Sequence, residues 1–273
     1  AHLLTHYSLL ILPTAVLAMA APGGAFGVEY GPIVALATSM FVVYGAGSLP
    51  QGWLAQRFGR PKMMFAFFVG TGVSLAAAGL AQGPVGLAIT LAFAGFFAAI
   101  YHPIGTAMLV EAAGDAPGRA LGLNGVFGNV GVASAPLVTA FLSQQAGWRI
   151  GFIVPGLVCV ALGLVWSRQN HVHLAHNVQT RPFPDIPKPI VRRAVIVLLA
   201  IAAASGLVFN AFTILLPKLM EERLASDPRL LPVVGALAFA VTLCGALTQF
   251  TVGRLIDRTT LKRIFLPLAL VLV

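Results

Sequence analysis

Histidine is the chemistry-bearing residue of this sequence. Most of the chain is apolar, and an ionisable group inside an apolar run is costly enough that function is the first explanation to consider. His102 stands inside such a run, beside Pro103. Its imidazole can change charge near neutral pH, so it could couple proton movement to substrate movement. It could equally rest as a neutral ring satisfied by a backbone carbonyl. His2 and His6 are four apart on one face of a helix, a spacing that suits a metal ion. The nearby sequence offers no third ligand, so no metal is expected, and His6 reads as part of a polar stripe facing a central cavity. A further run, His171-Val172-His173-Leu174-Ala175-His176, has no cysteine or carboxylate within it and reads as a solvated loop.

Uncharged polar residues inside apolar runs complete the candidate cavity: Asn124, Asn129, Asn210, Thr213, Thr248 and Gln249. An amide in hydrocarbon needs a partner, supplied by a neighbouring helix or by a substrate. No Asp or Glu falls deep in an apolar run; Glu29 and Glu111 stand at the ends of runs. A cavity without a fixed acid disfavours a strongly cationic substrate and leaves neutral, amphipathic or anionic small molecules.

The elements that position these residues follow from composition. Of 273 residues, 58% are hydrophobic and 9% charged, far below the roughly 25% charged of a soluble domain. Apolar stretches of about 20 residues recur, the length of a membrane-crossing helix. They fall near 3–22, 31–50, 62–82, 85–110, 120–143, 150–167, 191–217 and 231–252, with a ninth starting near 264. This predicts an all-α polytopic membrane protein with lipid as its surroundings.

The net charge of +9 does not indicate nucleic acid. With a cytoplasmic N-terminus, the outer loops carry Arg149, Lys218, Arg223 and Arg229, and the other thirteen of the 17 Lys and Arg lie on the inner side. That asymmetry is the positive-inside bias of a membrane protein. Cys159 and Cys244 both fall in predicted spans and read as small hydrophobes.

Two stretches 201 residues apart nearly repeat one another: Gly52-Trp53-Leu54-Ala55-Gln56-Arg57-Phe58-Gly59-Arg60 and Gly253-Arg254-Leu255-Ile256-Asp257-Arg258. Each joins two apolar runs, the internal symmetry of a secondary transporter. Residues 1–166 form a first block of six spans. Residues 167–190, with Pro182, Pro184, Pro187 and Pro189, read as a cytoplasmic linker. Residues 191–273 begin a second half, which the repeat length leaves short by several helices. Along the fifth span Gly122, Gly125, Gly128 and Gly131 recur every third residue. Such a stripe admits a neighbouring backbone closely, and a flexing helix between the two halves would also use it.

The first stretch resembles the signature loop of the major facilitator superfamily, at Gly52, Leu54, Ala55, Arg57, Gly59 and Arg60, with Gln56 where that family usually has aspartate. The second keeps Gly253, Leu255, Asp257 and Arg258. Gly147-Trp148-Arg149-Ile150-Gly151-Phe152 is similar to the family's entry into its sixth span. The resemblance implies two pseudo-symmetric six-helix halves, with about eight to nine transmembrane helices present here and the second half truncated. It also implies that the two loops form a cytoplasmic gate, their arginines bonding helix-end carbonyls and carboxylates of the facing half.

Tyr101-His102-Pro103 and the run Phe209 to Pro217 are similar to bacterial efflux proteins of the fosmidomycin-resistance type. The expected function is therefore secondary active transport of a small molecule by alternating access. Proton-coupled efflux by a monomeric antiporter of the bacterial inner membrane leads, with no cofactor. An importer of a metabolite is the alternative, and a non-transporting sensor or assembly partner is the alternative of another class. An enzyme is not expected: there is no His-Glu-x-x-His helix, no Gly-x-Ser-x-Gly elbow and no pair of carboxylates within a span, and the lack of an ATP-binding P-loop fits a gradient-driven device.

Overall fold

The computed structural model describes residues 1–20, 25–27, 29–114, 117–169, 186–224, 228–256, 259, 263–264 and 267. Its elements are helices throughout, without a strand among the described residues. In chain order they are α1 (His2–Leu9), α2 (Ile11–Met19), α3 (Tyr30–Ala35), α4 (Ala37–Gly47), α5 (Gln51–Phe58), α6 (Arg60–Gly79), α7 (Pro84–Ala98), α8 (Thr106–Ala112), α9 (Pro117–Ala146), α10 (Ile150–Ser167), α11 (Lys188–Arg223) and α12 (Leu231–Ile256). A π-helical turn, Tyr101–Gly105, joins α7 to α8. Seven stretches among the described residues are long and apolar enough to cross a membrane: His2–Met19, Tyr30–Gly47, Arg60–Gly79, Pro84–Ala112, Gly118–Ala146, Ile150–Ser167 and Lys188–Arg223, with a shorter apolar run at Leu231–Cys244.

Three of these spans are interrupted, each for a local reason. Pro13 has no N–H to offer the carbonyl of Leu9 and its ring crowds it. The chain accordingly breaks at Leu10, whose φ is −112°. The second break is at Leu36, where the Ser39 hydroxyl donates both to the Leu36 carbonyl and to Ala88 across the interface, at 2.8 Å each. Such side-chain competition bends helices. Pro103 leaves the carbonyl of Ala99 without its usual partner, and the widened turn that follows is the π segment.

The core lies among the first six spans. Ile11, Leu12, Met19, Ile33, Met40, Leu75, Leu87, Leu91 and Phe152 are buried together. Val85, Ile89, Phe93, Leu157 and Leu164 point outward, as hydrocarbon allows, since lipid tails are as apolar as the side chains. The signature loop is itself largely helical, as α5, and Gly59 turns the chain into α6 with φ 84° and ψ 142°. Only glycine adopts that conformation without strain, so Gly59→Ala is expected to cost about 1–3 kcal/mol, read as an earlier thermal unfolding in detergent.

The Gly147-Trp148-Arg149-Ile150-Gly151-Phe152 motif supplies a cap. Arg149 donates to the carbonyls of Gly79 and Ala81 at 2.9 and 2.8 Å, closing the open end of α6. Its guanidinium lies 4.6 Å from the Trp148 ring.

α11 meets the first block only toward its C-terminal end. Its buried residues are Thr213, Leu216 and Pro217, and residues 188–212 are exposed apart from half-buried Gly206. α12 packs along α9, where Gly235 sits against the Pro136 carbonyl and Leu137. Near the same end of α11, Lys218 lies 5.3 Å from the Tyr30 ring and pairs with Glu221 at 2.5 Å.

Candidate functional site

Two histidines of α1 and a third distant in sequence meet between α1, the π turn and α9. On α1, His2 and His6 stand one turn apart, with ring centroids 4.8 Å apart and their Nε2 atoms at 3.0 Å. The π turn brings His102 within 5.0 Å of the His2 ring and 5.4 Å of the His6 ring, edge-on to both. One ligating atom from each of the three lies within 4.8 Å of the others. His6 is half-buried and His102 exposed.

Asn124 on α9 organises the cluster. Its backbone carbonyl accepts a hydrogen bond from His2 Nδ1 at 2.6 Å. Because a carbonyl can only accept, the His2 proton sits on Nδ1, and in the neutral ring Nε2 is left with a lone pair. The Asn124 side-chain oxygen accepts from the Tyr101 hydroxyl at 2.5 Å. Tyr101 in turn stacks on His2, with centroids 5.2 Å apart and planes at 21°. Tyr44 approaches His102 edge-on at 6.4 Å.

The widened turn explains how consecutive residues serve one site. Tyr101 is buried against His2 while His102 reaches both histidines of α1. Spacing along α1 shows only two ligands, and the fold supplies the third from the fourth span. Tyr44 was not legible as a site residue, while His2 stands out in sequence only for its spacing from His6 and Tyr101 only within the Tyr101-His102-Pro103 resemblance. Pro103, whose disturbance of the span aims its neighbours, is a further signal.

The remaining candidates lie elsewhere. Asn129 is half-buried on α9, five residues beyond Asn124 and so rotated about 140° away from it. The Asn210 amide donates to the Gly206 carbonyl of its own helix at 2.8 Å. Thr213 is buried and donates to Phe209 at 2.9 Å. It lines a water-sized crevice with Leu10, Thr14, Val132, Pro136, Leu216 and Thr242. Gln249 and Gly253 lie on α12, beyond the stretch whose side chains are described. Asp257, Arg258 and the His171–His176 run lie outside the described residues.

In the first gate loop Gln56 and Arg57 are exposed, and Gly52 has open space around it. The Arg57 guanidinium lies 5.9 Å from the Trp53 ring. Arg60 pairs with Glu111 at the end of α8, a contact that joins spans three and four of the same half.

Three imidazoles gathered between apolar helices can accept protons, bond an oxyanion or ligate a metal. Among the described residues the acids, Glu29, Glu111, Glu221 and Glu222, stand at helix ends and leave the cluster free of carboxylate. A bundle of membrane-crossing helices with polar groups gathered between them is the architecture of a membrane transporter. A sequence model of the Major Facilitator Superfamily matches residues 3–273. The chain belongs to this superfamily, whose members are transporters and not enzymes.

Two curated relatives are similar. The membrane sensor protein UhpC of Salmonella typhimurium is 28% identical over 131 residues, 48% of this chain and 30% of that protein. A probable hexose phosphate transport protein of Chlamydia pneumoniae is 35% identical over 60 residues, 22% of this chain and 12% of that protein. The matches thus span under a third of either relative's length.

Proposed function

We propose that the protein is a proton-coupled secondary transporter that exports a small molecule by alternating access, with His6 and His102 at its coupling site. The observation that carries this reading is the meeting of His2, His6 and His102 on Asn124 and Tyr101, inside otherwise apolar spans. Titratable groups held in the membrane interior are the usual parts of a proton relay.

Residues 1–166 form the first half, 167–190 the linker, and 191–273 belong to the second half. The N-terminus faces the cytoplasm of a bacterial inner membrane, on the strength of the positive-inside bias. On that orientation, the contact of α11 with the first block near Thr213, Leu216 and Lys218 lies on the outer side. The exposed stretch 188–212 lies inward. Export as the direction rests on the efflux resemblance of Tyr101-His102-Pro103. The clustered imidazoles, with no acid beside them among the described residues, suit an anionic or neutral substrate. A phosphate ester is one such class, and the name of the Chlamydia pneumoniae relative points to it.

The test is accumulation of a panel of sugar phosphates, metabolites and antibiotics in a bacterial host lacking its main exporters, with and without a protonophore. Lowered accumulation that the protonophore reverses is expected. Raised accumulation would replace export by import. A second reading, a ligand sensor, is favoured by the relative named as a membrane sensor. It would stand if no compound moved while the purified protein bound one of them.

A further inference from the structure

We propose that His2, His6 and His102 form a binding site for a divalent cation of the zinc class, with imidazole nitrogens as its three protein ligands. The proposal goes beyond the transport reading and stands independently of it, because it concerns what the folded protein binds.

Geometry carries it. Tetrahedral zinc with nitrogen ligands at about 2.0–2.1 Å places those nitrogens about 3.3 Å apart. The Nε2 atoms of His2 and His6 are already 3.0 Å apart, and the whole ligand set lies within 4.8 Å. An ion needs the first pair to open slightly and the exposed His102 ring to swing inward. Both are side-chain rotations; no helix has to move.

The protonation pattern fits as well. A metal-bound histidine commonly donates its other ring N–H to a carbonyl, which fixes the tautomer and orients the ring. His2 Nδ1 makes that bond to the Asn124 carbonyl at 2.6 Å. Its Nε2 lone pair then points at His6. The His2 ring also has a place reserved for it: a side chain at Gly128 would put its Cβ 2.5 Å from His2 Cε1. Tyr101 covers the other ring face.

Ligand chemistry selects the ion. Imidazole suits zinc, cobalt, nickel and copper, whereas calcium and magnesium require oxygen ligands. Three protein ligands leave a fourth position of the tetrahedron open. Among the described residues no carboxylate offsets the charge, so that position draws an anion or hydroxide.

The probe is Co2+, whose visible absorption reports tetrahedral coordination. It is titrated into the purified, tag-free protein in detergent. The background carries His171→Gln, His173→Gln and His176→Gln, so that the linker histidines do not contribute. One equivalent of Co2+ should give the tetrahedral band, and Zn2+ should abolish it by displacement. His6→Ala and His102→Ala should each weaken binding at least tenfold, and the double variant should show no band. Size-exclusion elution identical to the parent establishes that the variants fold. As a measure free of substitution, X-ray absorption at the zinc edge of the Zn2+-loaded parent should show histidine scattering.

The proposal is overturned if the parent gives no tetrahedral band, if the band persists in the folded double variant, or if the absorption edge lacks imidazole scattering. None of these readings involves transport. Failure here leaves the transport reading untouched, and failure of the transport panel leaves the metal titration to be judged by itself.

Discussion

Glutamine at position 102 is expected to abolish uphill transport while leaving substrate exchange intact. The argument begins with what the substitution preserves. Glutamine is polar, near histidine in size and able to hydrogen-bond, so the exposed position on the π turn keeps a polar group beside His2 and His6. It cannot take up a proton. If His102 couples protons to substrate, vesicles with the variant and an imposed pH gradient should accumulate no more than empty ones. Exchange across equal substrate concentrations, in chelator-treated buffer, should continue because it needs only the binding site and the rocking motion. Unchanged accumulation at every pH would remove His102 from the coupling role. Loss of exchange as well would make it a substrate-binding residue. His6→Gln is the paired measurement, because the two rings are 5.4 Å apart and belong to one cluster.

The spans were legible because the signal is length. Hydrocarbon demands about 20 apolar residues in a row, and a run such as 62–82 admits one reading, realised as Arg60–Gly79. What length does not encode is how a span is interrupted. The breaks at Leu10 and Leu36 depend on a proline three residues on and on a serine hydroxyl choosing a carbonyl. Of these, only the proline could be read in advance.

The site was half legible for a similar reason. His6, His102 and Asn124 stood out as polar residues in apolar runs, each by itself. That they touch depends on α1 crossing α9 closely enough for His2 to reach the Asn124 carbonyl, a contact between residues 122 apart in sequence. No local pattern carries that. The gate loop was legible as a motif, but the pairing of Arg60 with Glu111 at the end of the adjacent span is again a contact that no local pattern carries.

The crossing of α1 and α9 also yields the largest expected loss of stability, at Gly131. A Cβ there would collide with the Leu3 carbonyl, its carbon and its Cα. All three are backbone atoms of a neighbouring helix, so no side-chain rotation relieves the clash. α1 must move as a body, and it carries His2 one residue from the contact. Overpacking of this kind costs about 1–3 kcal/mol for a single methyl and more for a larger group. Gly131→Ala is therefore expected to lower thermal stability and to weaken the His2–Asn124 hydrogen bond, and Gly131→Leu to prevent recovery of folded protein. The same exchange at Gly45 on α4, where a Cβ would meet nothing within 4 Å, should be neutral or stabilising by up to about 1 kcal/mol, since alanine is the better helix former. Melting curves of the two alanine variants in one detergent decide the matter. Equal midpoints would mean that α1 and α9 do not approach as closely as the glycine stripe implies, and the histidine cluster would lose the contact that assembles it.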